Sequence, residues 1–200
     1  MDGPGDGDAA RRATIAALRA MVDRVGVHEP VGEHELGAED NPFEKARGIA
    51  LRRLAVRGRS ASELGRDLKS RGVTAEVARD VIERFGQVGL VDDKRFADDW
   101  VAQRREGKGL SRARLRRELQ GKGIAAETID AALATIPAGD ETEVAIGLAR
   151  RRWERLKDLD PVIAQRRLSA YLARRGFSPE TTQEAAAAVL DGRIDGDDDD

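Results

Sequence analysis

Two adjacent carboxylates, Asp92 and Asp93, are the residues of this chain best suited by type and spacing to metal binding or acid–base catalysis. Such chemistry needs further ligands or a proton-transfer partner beside the pair. The 200-residue chain has no cysteine, and its two histidines, His28 and His34, both lie in an acidic N-terminal stretch. We therefore expect no metal site, no cofactor and no thiol or Ser-His-Asp catalysis. The pair instead fits a helix start, where carboxylates cap N–H groups and oppose the helix dipole.

Arginine-rich segments offer a second kind of chemistry, the binding of phosphate groups. The chain has 29 Arg and 6 Lys, and residues 94–123 carry ten Lys/Arg against four Asp/Glu. Guanidinium groups bind phosphates bidentately, so such a surface would hold a nucleic-acid backbone with strong dependence on salt. The candidate contacts in this segment are Arg104, Arg105, Lys108, Arg112, Arg114, Arg116, Arg117 and Lys122. Those further along the chain are Arg150, Arg151, Arg152, Arg155, Arg166, Arg167, Arg174 and Arg175. The alternative is a solvated basic face that binds nothing.

Charge is distributed unevenly along the sequence. The net charge of −2 combines −5 in residues 1–42, −5 in residues 191–200 and +8 in residues 43–190. This separation predicts a basic body that faces a polyanion, flanked by acidic ends. No apolar run approaches the roughly 20 residues of a membrane span, and the acidic N-terminus is the reverse of a signal peptide. The sequence therefore predicts a cytoplasmic protein without a membrane segment.

The two acidic ends have separate interpretations. The first is predicted to be a mostly disordered extension, except that Ile15, Leu18 and Val22 recur at helical spacing and indicate a short helix within residues 9–25. The second ends in a run of aspartates that would keep the protein in solution. An alternative is that these aspartates imitate DNA phosphates and compete for the basic body.

A repeated pattern organises the basic body. A serine, two leucines four apart and a glycine occur at Ser60, Leu64, Leu68 and Gly72, and 51 residues later at Ser111, Leu115, Leu119 and Gly123. A third, weaker copy has Leu168, Leu172 and Gly176. The serine suits an N-cap, the leucines lie on one helix face, and the glycine suits the left-handed residue that ends a helix. Each copy therefore predicts one helix, with a further helix on either side.

The predicted fold is all-α, with three tandem three-helix repeats and about nine helices. The repeats are predicted at residues 43–91, 92–139 and 140–190, between an N-terminal extension at 1–42 and a C-terminal tail at 191–200. A single three-helix unit buries little apolar surface, so stacked repeats in an elongated array are expected. The sequence leaves the curvature of that array open.

The motifs of the second repeat resemble those of the RecX family. The resemblance rests on a Leu-Asp-Asp-x-x-Phe-Ala-like opening and a Leu-Arg-x-Glu-Leu-x-x-Lys-Gly-Ile stretch. The matching positions are Leu90, Asp92, Asp93, Phe96, Ala97, Trp100, Leu115, Leu119 and Gly123. One departure is that Val91 stands directly before the two aspartates, with the leucine one position earlier. We expect these positions to serve mostly structural roles, with Phe96 and Trp100 in the core.

The resemblance implies a function that composition alone does not. RecX-family proteins are regulators of the RecA recombinase, so this chain is expected to bind RecA and its single-stranded DNA filament. It would inhibit RecA ATPase, filament growth and strand exchange in recombination, DNA repair and the SOS response, as a non-enzymatic monomer. Two alternatives stay open: a free-standing protein that binds duplex DNA, and a metal-dependent nuclease or hydrolase.

Overall fold

The structure, a computed structural model, describes residues 41–137 and 139–194. The short helix predicted within residues 9–25 falls outside those residues, as do nearly all of the N-terminal extension that is predicted to be disordered and the closing run of aspartates. None of the described helices is long and apolar enough to cross a lipid bilayer.

The described residues form nine α-helices and no β-strand, which confirms the all-α prediction. The first repeat contains α1 (Pro42–Leu54), α2 (Ala61–Lys69) and α3 (Ala75–Gln87). The second contains α4 (Asp93–Lys108), α5 (Arg112–Gly121) and α6 (Ala126–Ala134). The third contains α7 (Asp140–Trp153), α8 (Pro161–Arg174) and α9 (Pro179–Ile194).

α9 continues to Ile194, four residues beyond the repeat boundary predicted at residue 190, and that boundary stays a prediction. The physical reason lies in the composition of this helix. Residues 185–188 are four alanines, the residue type with the highest helix propensity. Once a helix has formed, each added residue contributes another backbone hydrogen bond, which favours continuation of the helix to Ile194.

Helix starts follow the cap residues seen in the sequence. Ser60 Oγ accepts a hydrogen bond from the Glu63 N–H at 3.1 Å, and Asp160 Oδ1 accepts from the Val162 N–H at 3.0 Å. Each bond satisfies an N–H group that has no partner within its own helix. The cap predicted at Ser60 is therefore confirmed, and Asp160 caps α8 in the same way.

The described residues divide into two compact units. The first comprises residues 41–96 and Lys122–Ile124, and the second comprises Ala97–Gly121, residues 125–137 and residues 139–194. The core of the first unit includes the fully buried side chains of Leu51, Leu64, Leu68, Val81 and Phe85. The core of the second includes Trp153, Leu156, Leu168, Leu172 and Phe177. Both leucines of all three sequence copies are fully buried, as their spacing predicts.

The glycine that ends the middle helix of each repeat has a left-handed backbone. In the third repeat, Gly176 has φ +90°, and a Cβ there would lie 2.6 Å from Arg114 Cβ and 2.7 Å from Ser111 Oγ. In the first repeat, Gly72 has φ +80°, but a Cβ there would meet nothing within 4 Å. Gly176 therefore serves both backbone geometry and close packing, whereas Gly72 serves geometry alone.

This contrast predicts different costs for the same substitution. Both Gly72→Ala and Gly176→Ala place an alanine in a left-handed backbone conformation, which is strained for any residue with a Cβ. Only Gly176→Ala also brings the new Cβ too close to Arg114 and Ser111. We expect Gly176→Ala to lower the free energy of unfolding by at least about 1 kcal/mol more than Gly72→Ala does. Urea denaturation of the two variants measures that difference, and equal costs would contradict the close-packing role of Gly176.

Candidate nucleic-acid interface

The carboxylate pair that opens α4 binds backbone amides. Asp92 Oδ1 accepts from the Arg95 N–H at 2.9 Å and so caps α4, as the sequence predicts. Asp93 Oδ1 accepts from the N–H of Ala61, the first residue of α2, at 2.8 Å. Within the described part of the chain, no three His, Cys, Asp or Glu side chains are grouped so that they could hold a metal ion. These contacts give the pair a structural role at two helix starts.

The two aromatic residues of α4 are half-buried, which corrects the prediction that both lie in the core. Lys122 Nζ lies 5.3 Å from the Phe96 ring centre, and the Arg104 guanidinium lies 4.2 Å from the Trp100 ring centre. Trp100 Nε1 also donates to Glu118 at 3.1 Å. The physical reason for the partial burial is that each ring holds a cation, whose charged group favours contact with water.

Lys122, a predicted phosphate contact, is committed to an ion pair. Its Nζ lies 2.8 Å from Glu63 Oε1, and both side chains are 14% exposed. Burial alone would raise the pKa of Glu63, but hydrogen bonds and charges from Lys122 and Arg57 outweigh it and hold that pKa below its ordinary value of 4.5. The pair therefore stabilises the first unit while Glu63 is ionised.

Acid should weaken this contribution in a defined direction. Because the folded-state pKa of Glu63 is lowered, its stabilisation is complete above the unfolded-state pKa and is lost as pH falls through the folded-state pKa. We expect Glu63→Gln to cost about 1.5 kcal/mol at neutral pH and to make stability less sensitive to acid below about pH 4.5. Urea denaturation at neutral pH and at about pH 3.5 measures both effects. A variant as acid-sensitive as the wild type would contradict this role.

Three other predicted contacts are also paired with carboxylates. Glu118 lies 3.4 Å from Arg104 Nε and 3.3 Å from Arg114 Nε. Arg116 Nη1 lies 2.6 Å from Asp130 Oδ1 and thereby joins α5 to α6. These pairings reduce the net charge that α4 and α5 present, so the predicted cation cluster on α5 is weaker than its composition suggests.

Backbone carbonyls hold another group of the predicted cations. Arg105 Nη1 donates to the Leu110 carbonyl at 3.1 Å. Arg112 Nη2 donates to the carbonyls of Pro137 and Ile136, so Arg112 closes the end of α6. Arg175 Nε donates to the Lys108 carbonyl at 3.0 Å. A carbonyl is neutral, so it orients a guanidinium without cancelling its charge.

Arg175 is the most fully oriented of these cations. Besides its bond to Lys108, its guanidinium lies 3.7 Å from the ring centre of Tyr171, one helical turn earlier. Its Nη1 also approaches the Tyr171 carbonyl at 3.5 Å. A stacked guanidinium loses little further conformational freedom when it binds an anion. The Arg175 guanidinium is therefore preorganised to bind an anion.

Arg175 lines a groove of about 810 Å³ in the second unit. We call it the basic groove and define it by its charged side chains and Tyr171. Its cations are Arg105, Lys108, Arg151 and Arg175, and its acids are Glu106 and Glu143. Its wall also includes the buried Gly109, together with Gly107 and Gly147, which bring backbone rather than side chains to the surface. An extended anionic chain could thus approach the cations closely.

Exposed arginines of the third repeat add to this charge. Arg150, Arg151 and Arg155 lie on α7 or just after it, and all three are exposed. On α8 the exposed arginines are Arg166, Arg167 and Arg174. None of these six appears in an ion pair among the residues that the structure describes. The remaining predicted cations are Arg117, which is exposed, and Arg152, which is half-buried with its guanidinium 5.4 Å from the Tyr171 ring centre.

One residue of the basic groove, Tyr171, is not among the site residues predicted from the sequence. Tyr171 is half-buried and supports Arg175. The available signal was the four-residue spacing between Tyr171 and Arg175 on one helix face, which places an aromatic ring beneath a cation.

Comparisons with known proteins connect these features to one family. Sequence profiles described as the first, second and third three-helix domains of RecX match residues 46–85, 92–133 and 139–186. The regulatory protein RecX of Streptomyces coelicolor is 40% identical over 138 residues, which cover 69% of this chain and 73% of that protein. The regulatory protein RecX of Mycobacterium marinum is 42% identical over 154 residues, covering 76% and 89%.

Solved structures agree at the level of fold. The crystal structure of RecX from Lactobacillus salivarius superimposes with a TM-score of 0.64 at 19% identity, covering 74% of this chain and 97% of that one. The profile matches span most of the chain, and the relatives share about two-fifths of their aligned residues with it. The chain belongs to the RecX family of regulatory proteins.

Proposed function

We propose that this chain is a non-enzymatic, monomeric regulator in the cytoplasm that binds RecA and its single-stranded DNA filament. By binding there it inhibits RecA ATPase activity, filament growth and strand exchange in recombination, DNA repair and the SOS response. Membership of the RecX family supports the choice of partner. The single observation that carries the DNA half of the proposal is the basic groove, with Arg175 oriented by neutral carbonyls and Tyr171.

The chemistry of the groove favours the DNA backbone over the bases. Guanidinium and ammonium groups bind phosphates whatever the sequence, and each neutralised phosphate releases counterions. Base stacking would need an open aromatic face, but the Tyr171 ring already carries the Arg175 guanidinium. Binding is therefore expected to be indifferent to sequence and steeply weakened by salt.

Contacts along several nucleotides would restrain the filament without any catalytic step. The cations of the basic groove and the exposed arginines of α7 and α8 each make a weak contact, and several together give useful affinity. A chain held on the filament would obstruct the addition of further RecA and the entry of a second DNA strand. The chain would thus act by occupying the filament, and its arginines would bind DNA without taking part in a reaction.

Fluorescence anisotropy with three matched ligands tests the proposal. The ligands are a labelled single-stranded oligonucleotide, the same oligonucleotide coated with RecA and a non-hydrolysable ATP analogue, and a duplex of equal length. We expect the RecA-coated strand to bind most tightly and the affinity for bare single strands to fall with salt. Tightest binding to the duplex without RecA would instead favour the free-standing DNA-binding protein.

A further inference from the structure

A second groove lies in the first unit, between α2 and α3, and differs in chemistry from the basic groove. Its volume is about 390 Å³, within the roughly 300–1,000 Å³ typical of ligand pockets. The floor is apolar and includes Ala61, Gly65, Ala78 and Ile82. The rim has three cations, Arg66, Lys69 and Arg79, and one acid, Glu83. We call this the repeat-1 groove.

Gly65 keeps this groove open. It lies within α2, where glycine has no advantage for helix formation. A Cβ at this position would lie 3.2 Å from Ile82 Cδ1, so any side chain at residue 65 would enter the space above Ile82. The small residue therefore leaves an apolar floor uncovered between two helices.

The second repeat shows the same position closed. The 51-residue offset of the repeats aligns Gly65 with Arg116 and Arg79 with Asp130. Arg116 and Asp130 form an ion pair at 2.6 Å that links α5 to α6. In the first repeat, Gly65 stands in the place of Arg116, and Arg79 carries a charge opposite to that of Asp130. The first repeat thus lacks the polar link and gains a cation on its rim.

We propose that the repeat-1 groove docks a protein segment that is acidic and carries one large apolar side chain. The apolar side chain would lie over Gly65 and Ile82, while its acidic neighbours would meet Lys69 and Arg79. This rests on the proposed function, because the segment is assigned to RecA protomers of the filament. The first unit would then contact protein, and the basic groove of the second unit would contact DNA.

The floor of the groove favours protein over nucleic acid as its occupant. A DNA backbone would satisfy the rim cations but would leave the apolar floor without a partner. An amphipathic acidic segment satisfies both, with a buried apolar anchor inside a polar rim, which is the usual anatomy of a protein–protein contact. Rim charges would also speed association with an acidic partner.

The test transplants the closed arrangement of the second repeat into the first. Gly65→Arg combined with Arg79→Asp should rebuild the α5–α6 ion pair between α2 and α3 and cover the floor. We expect this variant to bind RecA-coated single strands at least about tenfold more weakly than wild type, the effect of losing one well-buried anchor. Its affinity for the same strand without RecA should stay within about twofold, since the basic groove is unchanged.

A second variant tests the same proposal in case the first variant does not fold. Lys69→Glu with Arg79→Glu reverses the rim but leaves the floor intact, and it should also bind RecA-coated strands about tenfold more weakly. The control is Lys45→Glu with Arg52→Glu, which makes the same charge change at two exposed residues of α1. Circular dichroism melting checks that all three variants fold.

The outcomes separate this proposal from the proposed function. Weaker binding to RecA-coated strands alone supports the repeat-1 groove as a protein site. An equal loss for bare and coated strands would overturn it and make the groove a nucleic-acid contact. Wild-type-like binding by both folded variants would overturn it while leaving the proposed function intact. A wild-type chain that shows no preference for coated strands would overturn both.

Discussion

Reversing the charge of Lys108 and Arg151 together is expected to weaken binding to single-stranded DNA on the order of a hundredfold. Both side chains are exposed and line the basic groove. Each phosphate contact with a single strand contributes about 0.7 to the salt dependence of the binding constant. Losing two contacts should therefore reduce the steepness of the slope of log affinity against log salt by about 1.4.

A matched variant controls for net charge. Lys45→Glu with Arg52→Glu exchanges the same residue types at exposed positions of α1 and so changes the total charge by the same amount. We expect it to change affinity less than about threefold, because neither side chain lines the basic groove and exposed charges outside a binding site are largely screened by salt. Equal losses in the two variants would mean that overall charge, and not the basic groove, governs DNA binding.

Removing the Arg175 side chain is expected to weaken binding to single-stranded DNA on the order of thirtyfold. Arg175→Ala removes a groove cation, its bond to the Lys108 carbonyl and its stack on Tyr171. Arg175→Lys keeps the charge but loses the planar, bidentate group, so we expect it to retain only part of the affinity. The intermediate value is the signature of an oriented guanidinium.

Titration of both Arg175 variants with labelled single-stranded DNA measures this effect, and thermal melting checks their folding. Arg174→Lys is a suitable control, because Arg174 is the exposed neighbour and has no contact with Tyr171 among those described. If Arg175→Lys binds as tightly as wild type, charge alone matters. Such a result would contradict the role assigned to orientation by Tyr171.

Short-range sequence patterns predicted the fold well. The cap at Ser60, the buried pair Leu64 and Leu68 and the left-handed Gly72 all act within one helix and its ends. Local hydrogen bonding and helical periodicity determine such features, so spacing alone is sufficient to predict them. The continuation of α9 to Ile194 was not predicted, because local sequence defines the ends of helices less sharply than their interiors.

The candidate site was only partly predictable, because ion pairing depends on distant residues. Composition identified the cations, but not that Lys122 pairs with Glu63 or that Arg116 pairs with Asp130. The members of these pairs are 59 and 14 residues apart in sequence. Reversal of Arg114, Arg116 and Arg117 would therefore disturb structural pairs as well as DNA binding. The exposed groove residues Lys108 and Arg151 give a cleaner test.

We propose above all that this chain restrains RecA through contact with its filament. The most direct measurement is the single-stranded-DNA-dependent ATPase activity of RecA as this protein is titrated in, with the Lys108→Glu, Arg151→Glu variant in parallel. We predict that the wild-type chain inhibits hydrolysis and that the variant needs a concentration about tenfold or more higher to do so. Unchanged ATP hydrolysis at wild-type concentrations that saturate the DNA would contradict the claim.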